Sequence, residues 1–235
     1  MYGNFLVEGH KSVSDLLRSN YITKEVFATN DWIAQNPNLV SATKITEVSD
    51  SELQKIATQE NPHQVVAVAQ IPDTENPAKL SDGCYIAADN LSDPGNAGTI
   101  IRIADWFGFS GVIFSQNSVE VFNPKAVSAA KGSLFNMKII YADLAQCFAN
   151  NKEFAVLGAF MEGDPIYSVS FPEKGILLIG NEANGISDTL SSLVTQKITI
   201  PKYGNAESLN AGVATGIIAA EWKQGMRNRI GFKAI

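Results

Sequence analysis

Cys84-Tyr-Ile-Ala-Ala88 runs without a break into Asp89-Asn-Leu-Ser-Asp-Pro-Gly-Asn-Ala-Gly-Thr-Ile-Ile-Arg102. The first five residues read as a buried strand, and the polar, Pro/Gly-containing stretch after them reads as a turn that opens a helix. Asp93 or Asn96 can cap that helix, and Pro94 falls where a first-turn proline is tolerated. Over Asn96–Phe107, Ala97, Ile100, Ile101, Ala104 and Phe107 recur at helical spacing and form the buried face. Gly98, Arg102 and Asp105 fall on another face, where Gly98 leaves room beside Arg102.

The same strand-then-helix grammar continues along the chain. Strands are expected at Gly111–Phe114, Phe154–Ala159, Ile176–Ile179 and Lys197–Ile200, with helices at Tyr141–Ala149 and Ser208–Trp222. Strands separated by helices imply a parallel sheet covered on both faces, hence an α/β fold class. Upstream, Phe5–Glu8, Glu25–Ala28 and Gln64–Gln70 read as strands, and Lys11–Asn20, Asp31–Gln35 and Ser51–Ala57 as helices. Ile71-Pro-Asp-Thr-Glu-Asn-Pro77 places two prolines among polar residues and is the best linker candidate. Two α/β domains are therefore expected, residues 1–76 and 77–235.

The 235 residues are 45% hydrophobic and 18% charged, ordinary values for a globular protein with a substantial core. Apolar runs such as Gly175–Gly180 are far too short to span a bilayer, and no basic-then-apolar leader opens the chain, so neither a membrane span nor secretion is expected. Cys84 and Cys147 are isolated, which fits buried thiols in a reducing cytoplasm and supports neither a disulfide framework nor a metal site. The net charge of −6 argues against a nucleic-acid partner. Its distribution weakens that objection: residues 1–77 carry a net −5 and residues 78–235 only −1, which leaves room for a local basic patch.

Three further stretches could carry chemistry. Leu177-Leu-Ile-Gly-Asn-Glu-Ala-Asn-Gly-Ile-Ser187 places Glu182 in a Gly-rich turn after a buried strand, without the Gly-Lys-Ser/Thr of a Walker A loop. The GxGxxG of a dinucleotide fold occurs nowhere. Ile200-Pro201 closes the last strand, and Glu207-Ser208-Leu209-Asn210 opens a helix with small residues at Gly212, Gly216 and Ala220, so that another backbone can come close. Ser208 can serve there as an N-cap. Serine nucleophile chemistry is disfavoured, because no G-x-S-x-G elbow is present and both histidines, His10 and His63, lie in the first domain. Asn123–Ser133 contributes Lys125 and Lys131, which with Arg102 and Lys202 could form the local phosphate-binding patch. From spacing alone, Arg102 can equally pair with Asp105 or meet an anionic ligand at the end of a strand.

Taken together, "DPGNAGTIIRIADWFG", "LLIGNEANGIS" and "ITIPKYGNAESLNAGVATGIIAAEW" resemble, in this order, the SpoU (TrmH-like) family of RNA ribose 2′-O-methyltransferases. The first domain, with "FLVEGHKSV" near its start, is similar to that family's small substrate-binding domain of L30e-like fold. Relatives carry a basic helical segment before this point, where only Met1-Tyr-Gly-Asn4 stands here. The resemblance implies a SPOUT-type α/β domain with a C-terminal trefoil knot, S-adenosylmethionine as cofactor, a homodimer, and ribosomal or transfer RNA as partner in the cytoplasm.

Carried over by position, the resemblance implies that Gly158, Gly180, Ile200 and Leu209 line the cofactor site. It also matches Asn96, Arg102, Glu182, Ser208 and Asn210 to the catalytic site, with Lys125, Lys131 and Lys202 as RNA contacts. Arg102 with an RNA phosphate would activate the 2′-hydroxyl, and Ser208 and Asn210 would hold Arg102 and the ribose. Two other readings stay open at this level: an inactive RNA-binding or ribosome-assembly factor, and a knotted methyltransferase acting on a base.

Overall fold

The chain builds two sheets, seen in a computed structural model that describes residues 3–40, 44–58, 64–73 and 79–230. The first half runs β1 (Asn4–Glu8), α1 (His10–Leu17), β2 (Thr23–Ala28), α2 (Asn30–Gln35), α3 (Pro37–Val40), β3 (Ile45–Glu47), α4 (Asp50–Ile56) and β4 (Val65–Gln70). Its sheet has the order β1-β4-β2-β3, with β4 antiparallel to both β1 and β2 and only β2–β3 parallel. Ser49 starts α4 through a reciprocal capping box with Glu52, as the Ser-x-x-Glu spacing dictates. The expected linker falls partly, and the 76/77 boundary wholly, outside the described residues, as does His63.

The second half runs β5 (Cys84–Ala88), α5 (Pro94–Trp106), β6 (Gly111–Ser115), α6 (Pro124–Ala130), β7 (Ile139–Ala142), α7 (Leu144–Asn150), β8 (Ala155–Pro165), β9 (Gly175–Ile179), α8 (Asp188–Ser191), β10 (Gln196–Thr199) and α9 (Ala211–Ile230). The six strands pair in the order β10-β8-β9-β5-β6-β7, and every pairing is parallel. All six C-terminal ends therefore open on one edge, where the loops gather. All five residues of β5 and all five of β9 are buried. Cys84, Ile86 and Ala88 belong to one core layer, Tyr85 and Ala87 to the other, as the two-residue period of a strand requires. Burial raises the pKa of both free thiols, Cys84 and Cys147. No helix among the described residues is long and apolar enough to cross a membrane.

Three expected elements differ. Tyr141 does not open a helix: Ile139–Ala142 is a β-branched and aromatic run that pairs with β6, and Asp143 then caps α7 by accepting from the Gln146 N–H. The last helix begins at Ala211 instead of Ser208, because the Asn210 side-chain carbonyl accepts from the N–H groups of Gly212 (2.9 Å) and Val213 (3.2 Å). The strand expected at Phe154–Ala159 extends to Pro165, with a register break against β10 between Lys197 and Ile198.

Glycine explains how the helices come so near. A Cβ on Gly98 would lie 2.3 Å from the Ala126 carbonyl and 2.7 Å from the Ala129 Cβ. Gly98 thus makes room for α6 and not, as its spacing suggested, for Arg102, which is exposed one turn further along α5. A Cβ on Gly212 would lie 2.8 Å from Thr99, and one on Gly216 would lie 3.5 Å from Ile103, so α9 uses these two positions to lie on α5. Further along α9, Trp222 stacks on Phe171 at 5.1 Å and donates to the Pro172 carbonyl at 2.9 Å. The two halves meet through Phe5 on Phe122 (4.8 Å) and Tyr21 edge-on to Phe135 (5.3 Å). The Tyr21 hydroxyl also donates to the Leu134 carbonyl at 3.3 Å.

Replacing Gly98 with Ala should lower the unfolding free energy by about 1–3 kcal/mol, the usual cost of overpacking. Urea denaturation followed by circular dichroism measures it. An unchanged midpoint would mean that α5 and α6 separate without cost.

Candidate active site

At the sheet's C-terminal edge, β5 ends in Asp89-Asn90 and β9 ends in Gly180, and the two ends are stitched together. The buried Asp89 carboxylate accepts from the Ser187 N–H (2.8 Å) and the Asn90 side-chain amide (2.9 Å). Asn181 donates to the Asn90 carbonyl at 2.6 Å, and its own loop closes by an Asn181–Gly185 bridge. A Cβ on Gly180 would lie 2.2 Å from the Gly185 backbone, so only glycine lets the loop fold back.

That loop presents Glu182. Its Oε1 accepts from the Asn96 amide (2.8 Å) and the Asp93 N–H (3.4 Å), and its Oε2 from the Ser92 hydroxyl (3.1 Å) and N–H (3.4 Å). Burial pushes the Glu182 carboxyl up, but the hydrogen bonds from Asn96 and Ser92 outweigh it and hold the group below its ordinary value. With about four lone-pair sites and four donors, this carboxylate is an ionised anchor with no spare acceptor for a substrate proton.

The chain of contacts continues. The Asn210 amide donates to the Asn96 carbonyl oxygen at 2.7 Å, while the other end of Asn210 caps α9. Glu182, Asn96 and Asn210, from three separate segments, thus form one hydrogen-bonded line. The Arg102 and Ser208 side chains are exposed, and neither makes a hydrogen bond or ion pair among the described residues, to Asp105 or to each other. Asn210 faces Asn96 and makes no bond to Arg102.

The positions expected to hold a cofactor lie on the same edge. Gly158 is buried in β8, where a Cβ would lie 2.6 Å from Phe160 and 2.9 Å from Val194. Gly180 and Ile200 sit just past β9 and β10 and Leu209 just before α9, and their backbone N–H and C=O groups bond to nothing among the described residues. Unpaired main-chain donors and acceptors beside a 48% exposed leucine fit a ligand that is part heterocycle, part polar. Among the basic residues, Lys125 reaches the rim: its Nζ pairs with Asp93 at 2.6 Å, and this contact, followed by the Asn96 N–H, lowers the Asp93 pKa. Lys131 lies just past the other end of α6 at a positive φ of 55°, and Lys202 is exposed in the β10–α9 loop.

Sequence reasoning missed Asp89, Ser92 and Asn181 as parts of this site. The one available signal was their place, directly after strands whose ends must meet.

A wholly parallel six-stranded sheet with its polar network, capped helices and unpaired backbone on the C-terminal edge defines an α/β ligand-binding enzyme of the open-sheet class. The SpoU rRNA Methylase family matches residues 83–220, and the MRM3-like substrate binding domain matches residues 1–67. The chain belongs to the SpoU family. It is 29% identical over 218 residues to the 23S rRNA (guanosine(2553)-2′-O)-methyltransferase of Bacillus subtilis, covering 91% of this chain and 86% of that one. A structure from Porphyromonas gingivalis assigned to the TrmH family of RNA methyltransferases superposes with a TM-score of 0.83 at 33% identity, over 94% of this chain and 90% of that one. The SpoU methyltransferase AviRb of Streptomyces viridochromogenes, solved in complex with AdoMet, superposes with a TM-score of 0.84 at 26% identity, over 98% and 92% of the two chains.

The Glu182 network makes stability depend on pH. A carboxyl whose folded pKa is depressed stabilises the fold fully above its unfolded value, about 4.3 for Glu. That contribution is lost as pH falls through the folded pKa. Glu182→Gln puts an amide nitrogen against the Ser92 N–H or against the Asp93 N–H, since the two donate to different oxygens. The variant should therefore be less stable than wild type at pH 7, and the gap should shrink as pH drops from 5 towards 3. Chemical denaturation across that range tests it, and a gap independent of pH would count against the anchor role.

Proposed function

We propose that this protein transfers a methyl group from S-adenosylmethionine to a ribose 2′-hydroxyl of ribosomal or transfer RNA. The observation that carries the reading is the Glu182–Asn96–Asn210 line, which draws the three family segments to one edge of the sheet. Gly158, Gly180, Ile200 and Leu209 would hold the cofactor, the last three with backbone groups left unpaired among the described residues. Bound there, S-adenosylmethionine supplies an electrophilic methyl on a sulfonium centre.

A ribose hydroxyl is a poor nucleophile at neutral pH, so it must be polarised as it reacts. The one histidine among the described residues, His10, lies in the first half, where its Nδ1 accepts from the Trp32 indole at 3.0 Å. Glu182 is saturated by its four donors. Arg102 is exposed and uncommitted on α5, two turns from Asn96, and is the group that can orient the hydroxyl together with an RNA phosphate and stabilise its developing charge. A guanidinium stays protonated, so its role is positioning and charge stabilisation. Ser208 flanks the ribose, and the Asn96–Asn210 pair fixes the rims on either side. Lys125, Lys131 and Lys202 would meet RNA phosphates.

The finer architecture belongs to the same proposal. Residues 1–76 form an L30e-like RNA-binding domain and residues 77–235 the SPOUT catalytic domain. The chain leaves β10 at the sheet edge and returns as α9 against the β8–β9 connection, where Trp222 stacks on Phe171. That return path supports a trefoil knot. The outer faces of α5 and α9 carry Trp106, 83% exposed, and Val213, 51% exposed, beside half-buried Ile217 and exposed Ala220. An apolar face of this kind next to Arg102 supports a homodimer that buries it. A ribosomal or transfer RNA substrate supports a cytoplasmic location.

Arg102→Ala should abolish methyl transfer to RNA, measured with tritiated cofactor, while calorimetric binding of S-adenosylmethionine stays within about twofold of wild type; unchanged turnover would sink the assignment. Alkaline hydrolysis of the product tests the site of methylation, because a 2′-O-methyl group protects the adjacent phosphodiester and a base methyl does not. Trp106→Glu should convert a dimer to monomer in analytical ultracentrifugation, and a variant that sediments like wild type would move the interface elsewhere.

A further inference from the structure

Beside the reaction centre the surface holds an open groove of about 640 Å³, lined by Asn123, Pro124, Lys125, Ser128 and Ala129 on α6 and its cap, and by Thr58 from the first half. It is continuous with the site through one residue. Asp93 donates its N–H to Glu182, caps α5 by accepting from the Asn96 N–H, and pairs through its other oxygen with Lys125. The floor is set rigidly against the catalytic helix, because Gly98 brings α6 into backbone contact with α5. The far wall is fixed as well. The Thr58 N–H donates to Glu8 at the end of β1 at 2.9 Å, and β1 docks on the second half through Phe5 and Phe122.

We propose that this groove is the subsite for a single-stranded RNA nucleotide flanking the target ribose, with its phosphate on Lys125 in place of Asp93. The proposal rests on the function proposed above. The Lys125–Asp93 pair is largely exposed, with side-chain accessibilities of 63% and 40%, so exchanging its carboxylate for a phosphate costs little. Lys125 is the one cation among the lining residues. Pro124 and Ala129 offer apolar surface for a sugar or base. The Ser128 hydroxyl makes no hydrogen bond among the described residues and is open to a polar edge. A cleft of this size suits one splayed nucleotide, not a duplex, and unpaired nucleotides are the form in which RNA sequence is read. Two domains build the groove, so the first half would help choose which RNA segment is presented to Arg102.

The test uses the full chain and an unmodified 23S rRNA transcript made in vitro. Lys125→Ala removes the phosphate contact. Pro124→Glu places a carboxylate in the groove at a first-turn helix position that tolerates it. Each should raise the Kd for the transcript about tenfold, the scale of one charge-assisted contact. Lys125→Ala should also flatten the salt dependence of binding by about one unit of slope. S-adenosylmethionine affinity should not move in either variant. Wild-type RNA affinity and salt slope in both variants, or a parallel loss of cofactor affinity, would overturn the subsite. If wild-type protein binds the transcript without methylating it, the activity reading fails instead, and the two variants' binding still judges the groove.

Discussion

A single carboxylate holds the functional edge of this protein together. Glu182 accepts hydrogen bonds from Ser92, Asp93 and Asn96, groups that lie 86 to 90 residues away in sequence. Asn96 passes the constraint to Asn210, a further 114 residues on, and Asn210 in turn starts α9. Each member is therefore tied twice, once to its own element and once to the next segment. Asp89 and Asn181 hold the loop beneath Glu182 by the same logic, which explains why a carboxylate as buried as Asp89, at 3% exposure, is tolerated.

This line of polar contacts works only because the helices behind it are set close. α5 carries Asn96 and Arg102, and it is pinned by α6 at Gly98 and by α9 at Gly212. The small residues at the start of α9 are the means of that approach. The stripe divides: Gly212 and Gly216 face α5, whereas Ala220 remains exposed on the outer face with Val213. Close packing on one side and an uncovered apolar surface on the other give α9 two separate duties.

Much of the second half was legible because its strands are buried on both faces and its helices carry explicit start signals. Cys84–Ala88 and Ile176–Ile179 are apolar runs bounded by turn residues, and Asp93-Pro94 marks the opening of α5. The misreadings came where local pattern is ambiguous. Ile139–Ala142 is too short for its period to separate strand from helix, and pairing with β6 decides it. Ser208 and Asn210 are both good caps, and the choice fell to Asn210 because it can also reach Asn96. Of the matched site residues, Asn96, Glu182 and Asn210 come together directly. Arg102, further along α5, and Ser208, in the loop before α9, are exposed, and their side chains bond to none of these three.

The amino-acid sequence by itself determined the α/β class, the segments that carry chemistry and the family they resemble, because burial period, caps and turn residues act over a few neighbouring positions. Only the tertiary structure decided what Gly98 makes room for, which residue caps α9, and that Glu182 is an anchor instead of a proton acceptor. Those outcomes depend on distances between groups far apart in the chain. A carboxylate's role is set by how many donors surround it, and the folded backbone alone brings those donors within reach.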